Sequence, residues 1–411
     1  LFIALEGKQV DGHQFVPDVL KTGGFAVVKE GSYDQAGVVV VADPLTALQE
    51  LAKFYLQLFP VPVVAVTGSN GKTSTKDMIT QVLGSKYSVH STVGNLNNEI
   101  GVPLTVLELE EEHQVLVIEM GMRGLGQIKQ LTEISPPTLG VITNIGPVHL
   151  ELLGTMGNIA QAKGELLDAL GPEGTAVLNG DDPSVRGQAR AFSGKAVYYG
   201  LDVANDLIAS NIDLDLEGHP SFSVRVEEKE LQVRLGVPGL HNVWNACAAL
   251  AVGLQLGVPL EQGANALEEL ALSAMRLEIH RSPQGVTIVN DSYNASPAST
   301  RAALATVAHM HCSGQRIVIL GDMLELGRIA DEAHFEVGSY AQERADRLVF
   351  VGKYASLMQE GAGKGEAYSS VEEFLGSGFS AEEGDLVLVK ASRGLQFERI
   401  VELLMKGGGE G

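Results

Sequence analysis

The chain has 411 residues, with 29 Lys plus Arg against 51 Asp plus Glu, a net charge of −22. At about 150 residues per domain this length suggests two or three domains, and a 45% hydrophobic content supplies their cores and argues against disorder. The acidic balance disfavours nucleic-acid binding, which rests on a basic surface, so an anionic substrate must be met by a few local cations or metals.

Cys247 and Cys312 are the only cysteines. They form neither a disulfide framework nor a zinc spacing, and a reducing cytoplasm is the expected home. No apolar run approaches the roughly 18 residues of a membrane span. Residues 38–42 and 61–66 read instead as short buried strands. The opening Leu1-Phe2-Ile3-Ala4-Leu5 lacks the basic flank of a signal peptide. It also lacks an initiator Met and reads as the start of a trimmed product.

Short apolar runs alternate with amphipathic stretches, the pattern of an α/β protein. Residues 1–60 form a small leading unit. A buried strand over 61–67 runs into Gly68-Ser69-Asn70-Gly71 and a helix over 72–83. Strands follow at 115–119 and 139–143, and a helix at 158–170. Over 174–235 short alternating runs predict an antiparallel patch. After Pro238-Gly239 comes an Ala-rich helix over 242–256. Strands at 286–290, 316–320, 347–351 and 386–389 make a second α/β unit of about 140 residues, a plausible domain size. The glycine tail 407–411 is expected to fray.

The sharpest motif is Thr67-Gly68-Ser69-Asn70-Gly71-Lys72-Thr73-Ser74. A buried strand, a glycine loop, Lys and Thr, then a helix make a phosphate cradle. The glycines let backbone N–H groups close on phosphate oxygens, and the helix N-terminus adds partial positive charge. Lys72 brings a point charge and the Thr73 hydroxyl can ligate Mg²⁺. Val66 stands where the usual loop has its first glycine, so this is a shorter variant. An ordinary strand-to-helix turn with an exposed lysine is the plain alternative.

Further polar islands follow predicted strands, where α/β proteins place ligand contacts. Glu119 ends the 115–119 strand and suits a Mg²⁺ ligand, or is a solvated strand end. His149 can ligate a metal or exchange protons, or is a surface residue. Lys163 reads as an exposed helix lysine. Asn242 and Asn245, in Gly239-Leu240-His241-Asn242-Val243-Trp244-Asn245, can contact adenine or phosphate, and Asn242 also fits a helix N-cap. The second half adds Arg276, Asp291-Ser292-Tyr293-Asn294-Ala295-Ser296-Pro297, the Gly321–Gly327 island with Asp322, and Lys390 and Arg393, cations whose plain reading is surface charge.

Taken together the islands resemble those of the Mur ligases, the ATP-dependent amide ligases of peptidoglycan synthesis, from about residue 1 to residue 406. The general features are the 67–73 loop, Glu119, His149, Lys163 and His241-Asn242 with Asn245. Thr92-Val93-Gly94-Asn95-Leu96-Asn97-Asn98-Glu99-Ile100-Gly101, Asp291-Ser292-Tyr293-Asn294, Gly321-Asp322-Met323-Leu324-Glu325-Leu326-Gly327 and Lys390-Ala391-Ser392-Arg393 are similar to the branch that adds D-alanyl-D-alanine. The resemblance implies three domains: the remnant of a UDP-substrate domain (1–60), with the usual leading segment missing, a central P-loop ATPase domain (61–272) and a C-terminal Rossmann-like domain (273–411). It implies ATP and two Mg²⁺ ions, with UDP-N-acetylmuramoyl-tripeptide and D-alanyl-D-alanine as substrates, in a cytoplasmic monomer.

The implied roles are as follows. Gly68, Ser69, Asn70, Gly71, Lys72, Thr73, Ser74, Asn242, Asn245, Arg276 and Asp291 bind ATP, with Asn245 at adenine and Asp291 at the ribose or a phosphate. Thr73 and Glu119 hold one Mg²⁺, and His149 and Lys163 a second. Lys72, Glu119, His149 and Lys163 form the catalytic group, with Lys163 carbamylated as in several relatives. Asn95, Asn97, Asn98, Asn294, Lys390 and Arg393 meet the peptide substrates. The rivals are a folate polyglutamate synthase of the same superfamily, disfavoured by the 94–101 and 291–297 islands, and a non-catalytic scaffold, disfavoured because Lys72, Glu119 and His149 are all present.

Overall fold

The computed structural model describes residues 1–7, 10–29, 31 and 35–406; the glycine tail 407–411 lies outside them. Three sheets organise the chain. The first is parallel and holds β1 (Phe2–Ile3), β2 (Ala26–Lys29) and β3 (Val38–Val41) in that order. The run at 38–42 is a strand but not a buried one: Val39 and Val40 are 50% and 43% exposed. A β-branched run has the same sequence at a sheet edge as in its middle, and here it is the edge.

The second sheet has nine strands: β4 (Val63–Thr67), β5 (Val89–Ser91), β6 (Val115–Glu119), β7 (Leu139–Ile142), β8 (Thr175–Asn179), β9 (Lys195–Gly200), β10 (Leu207–Leu214), β11 (Pro220–Val226) and β12 (Lys229–Arg234). Its order is β12-β11-β10-β9-β8-β7-β4-β6-β5. The antiparallel patch expected over 174–235 is confined to β10, β11 and β12, because β8 and β9 continue the parallel sheet. Apart from its first residue β8 is buried, as a strand covered on both faces must be. The Ala-rich helix, Asn242–Gln255, packs on this sheet beside the helix Lys72–Gly84.

The third sheet has six strands: β13 (Glu278–Arg281), β14 (Thr287–Asn290), β15 (Arg316–Gly321), β16 (Arg347–Val351), β17 (Glu366–Tyr368) and β18 (Leu386–Lys390), in the order β13-β14-β18-β15-β16-β17. All pairings are parallel except β13 with β14. Separate apolar clusters line the two faces. The helix Pro44–Leu56 lends Ala52 and Leu56 to the core of the nine-stranded sheet, and its Tyr55 hydroxyl donates to the Leu109 carbonyl at 2.8 Å. Among the described residues no helix is long and apolar enough to cross a membrane.

Candidate active site

The carboxyl end of β4 delivers the glycine loop. Gly71 has φ +79°, and a side chain there would also meet Asn245 Oδ1 at 2.8 Å. A Cβ at Gly68 would collide with Thr143. Glycine is therefore required by conformation and by close approach. The loop is buttressed by the segment after β7. Asn70 N donates to Asn144 Oδ1 (3.0 Å), Asn144 Nδ2 to the Asn70 carbonyl (3.0 Å), and Ser69 Oγ to the Gly146 carbonyl (3.0 Å). Lys72 opens the helix Lys72–Gly84 and its Nζ reaches back to the Gly68 carbonyl at 2.8 Å. Burial lowers its pKa, opposed by Glu119 and reinforced by Arg276.

Glu119, at the end of β6, is buried rather than solvated. Its Oε1 accepts from Asn97 Nδ2 at 2.7 Å, while its Oε2 is sealed and has no hydrogen-bond partner. An unpaired buried carboxylate oxygen is costly, and Glu119 lines a cavity of about 1080 Å³ together with Thr73, Lys72 and His149. A carboxylate oxygen and a hydroxyl are the donors a hard divalent cation takes, so these residues fit Mg²⁺.

Ser69, Asn70, Gly71, Ser74, Asn95, Asn97, Asn98, Asn242, Asn245, Arg276, Asp291, Asn294, Lys390 and Arg393 line the same cavity. Gly68 and Lys163 are not in its lining. Lys163, on the helix Met156–Leu170, is 2% exposed, not an exposed helix lysine. Burial, aided by the Lys72 charge, pulls its pKa far below the usual lysine value.

Several side chains do work that the sequence did not disclose. Asn242 is not the helix cap, a position held by His241. Its Nδ2 donates to the Pro238 carbonyl (2.7 Å), its Oδ1 accepts from Asn245 Nδ2 (2.9 Å), and Asn245 Oδ1 accepts from Thr75 Oγ1 (3.1 Å). Both amides thus serve the loop and helix around them. Asp322 holds the turn after β16 by accepting from Lys353 N and Tyr354 N, both at 2.9 Å. Lys390 is not surface charge: it is 2% exposed and donates to Asp291 Oδ2 (2.6 Å) and the Asn294 carbonyl (2.9 Å). Asp291 Oδ1 accepts from Leu277 N at 3.3 Å, so both of its oxygens already have a partner.

Several contacts join the nine-stranded and six-stranded units, among them these at the cavity. Ser296 Oγ, which caps the helix Pro297–His309, donates to Asn70 Oδ1 at 2.7 Å. Arg276 Nη2 donates to Thr73 Oγ1 at 3.3 Å while its guanidinium lies 4.1 Å from the Tyr293 ring centroid. His149 Nδ1 pairs with Glu325 Oε2. Asn144, Ser296 and Glu325 carried no assigned role in the sequence. Their position directly after strands or at a helix start was the available signal.

A phosphate cradle, a buried carboxylate with a free oxygen and two α/β units closing on one cavity fit ATP-dependent ligases, and the chain belongs to the Mur ligase family. The family's middle domain matches residues 66–253 and its glutamate ligase domain residues 275–393. More particularly, the chain is 40% identical to the UDP-N-acetylmuramoyl-tripeptide–D-alanyl-D-alanine ligase of Bacillus subtilis, over 99% of this chain and 90% of that protein. Among solved structures, MurF from Acinetobacter baumannii superposes with a TM-score of 0.90 at 32% identity, covering 98% of this chain and 90% of that one. The MurF ligase of Thermotoga maritima in complex with ADP gives 0.87 at 29% identity, covering 98% and 94%.

Proposed function

We infer that this chain is an ATP-dependent amide ligase that adds D-alanyl-D-alanine to UDP-N-acetylmuramoyl-tripeptide in peptidoglycan precursor synthesis. The observation that carries this reading is the end-to-end likeness to ligases of that name, joined to one cavity holding both the phosphate loop and the 95–98 and 390–393 islands.

The chemical obstacle is that a carboxylate is a poor acyl donor. Transfer of the ATP γ-phosphoryl group to a carboxylate oxygen makes an acyl phosphate and ADP. The dipeptide amine then attacks the carbonyl carbon, and the tetrahedral intermediate collapses to the amide, inorganic phosphate and a proton. Both steps gather negative charge in a protein of charge −22, so local cations must stabilise it. Lys72, the 68–74 loop amides and Arg276 are placed to hold the phosphates. Asn242 and Asn245 act by fixing the loop and helix start. Thr73 and Glu119 would hold one Mg²⁺, and His149 with Lys163 a second; when bound, Mg²⁺ neutralises charge on the transferring phosphoryl group. The depressed Lys163 pKa supports its carbamylation, because only the neutral amine reacts with CO₂. Asn95, Asn97 and Asn98 face the muramyl-peptide side. Asn294, Lys390 and Arg393 face the dipeptide side, with Asp291 setting the position of Lys390. The two unpaired cysteines are in keeping with a cytoplasmic protein.

The test is phosphate release with each amino acceptor in turn. ADP should form with UDP-N-acetylmuramoyl-tripeptide plus D-alanyl-D-alanine, and not with a folate plus glutamate. Absence of ADP with the first pair sinks the reading.

A further inference from the structure

Trp244 is the only tryptophan in the chain. It lies on the first turn of the helix Asn242–Gln255, half-buried, and lines the cavity on the loop side beside Asn179, Asn242 and Asn245. Its ring is fixed. The indole Nε1 donates to Asp181 Oδ2 at 2.7 Å. Asp181 in turn accepts from Leu201 N (2.7 Å), Asp202 N (3.0 Å) and Asn205 Nδ2 (3.0 Å). Four hydrogen bonds therefore hold one aromatic edge in place in a residue that borders the cavity. The amides of Asn242 and Asn245, polar side chains close in sequence, each make internal hydrogen bonds. Of these four lining residues, Trp244 is the one that offers an aromatic face to a flat heterocycle.

We propose that Trp244 is the stacking platform for the adenine ring of ATP and that Asp181 is its positioning residue. The proposal rests on the reading of ATP as substrate. Stacking on an aromatic side chain tolerates any base, since every base has a π-face. The phosphates would then select the loop and the base would add affinity through Trp244. A side chain pinned before the ligand arrives loses little further freedom on binding.

The single tryptophan makes the test direct. In the full chain, ADP should quench the tryptophan emission, and inorganic tripolyphosphate, which offers phosphates without a base, should leave it unchanged. Trp244→Leu keeps apolar bulk without a π-face; it should weaken ADP binding and raise the KM for ATP about 5- to 100-fold, with kcat within about threefold. Trp244→Phe should stay within about threefold of the parent and guards against a folding defect in the leucine variant. Asp181→Asn should shift the emission maximum without nucleotide and raise KM at constant kcat. ADP binding seen by calorimetry with unchanged emission, or leucine-variant binding as tight as the parent's, overturns the platform while leaving ATP use intact. No ADP binding and no phosphate release with the two substrates overturns both.

Discussion

His149 and Glu325 are 176 residues apart, both hold left-handed backbone (φ 55° and 63°), and pair side chain to side chain across the cavity. Such backbone is uncommon outside glycine, so two elements each take an unfavourable conformation where they meet. Burial lowers the His149 pKa, and the Glu325 carboxylate works against that. Arg123 Nε lies 3.8 Å from the other Glu325 oxygen. Glu325→Ala should loosen this junction. Its carboxylate is more than a third exposed, so solvent screening limits the stability change to about 1 kcal/mol or less. The radius of gyration from small-angle scattering should rise; an unchanged profile would mean that the remaining ties, Ser296 and Arg276 among them, hold the junction without it.

Lys163 is a buried amine with no carboxylate beside it among the described residues. Lys163→Met should therefore leave stability unchanged or raise it, since a buried polar group without a partner costs free energy. Ligase activity should fall by more than about 100-fold. Carbon-13 NMR after equilibration with labelled CO₂ should show a carbamate carbon in the parent and none in the variant.

The Lys390–Asp291 pair behaves in the opposite way. Lys390→Met strands a buried carboxylate, and denaturant unfolding should show a loss of about 3 kcal/mol. Combining it with Asp291→Asn should restore at least half of that. Equal losses in the single and double variants would show that the Lys390 stem, not the charge pair, carries the stability.

His241 gives a pH signature. Its Nδ1 is sealed and unpartnered, and burial lowers its pKa to about 4, with Asp291 opposing and Lys390 reinforcing the shift. The unfolded chain binds this proton near pH 6.5 while the folded chain does not. The stability due to neutral His241 is therefore complete above pH 6.5 and is lost as pH falls toward 4, on the order of 2 kcal/mol by pH 4.5. Urea melts at pH 7 and pH 4.5 should show this loss, and His241→Asn should flatten it.

The phosphate loop was legible because its chemistry is contiguous: strand, glycines, Lys72 and Thr73 need only local geometry. Glu119 was legible for a similar reason, as the first carboxylate after an apolar run. The burial of Lys163 and Lys390 was not, since a helix or strand sequence does not say which neighbour covers it. The turn from parallel to antiparallel pairing at β10 is a property of partners rather than of the strand itself. The tie from Asn70 to Ser296 spans 226 residues, and the asparagines of the 242–245 segment read equally as ligand contacts or internal braces until their partners were placed.

The helix Pro44–Leu56 docks on the nine-stranded unit, through Ala52, Leu56 and Tyr55. The small first sheet is left with a core of Ala4, Val16, Ala26 and Val28 among the described residues. Such a core should resist opening only weakly, and the sheet is expected to open before the larger unit. In native-state hydrogen exchange the amides of β2 should trade for deuterium well before those of β4, while the 44–56 helix keeps the slow exchange of the larger unit it is anchored to.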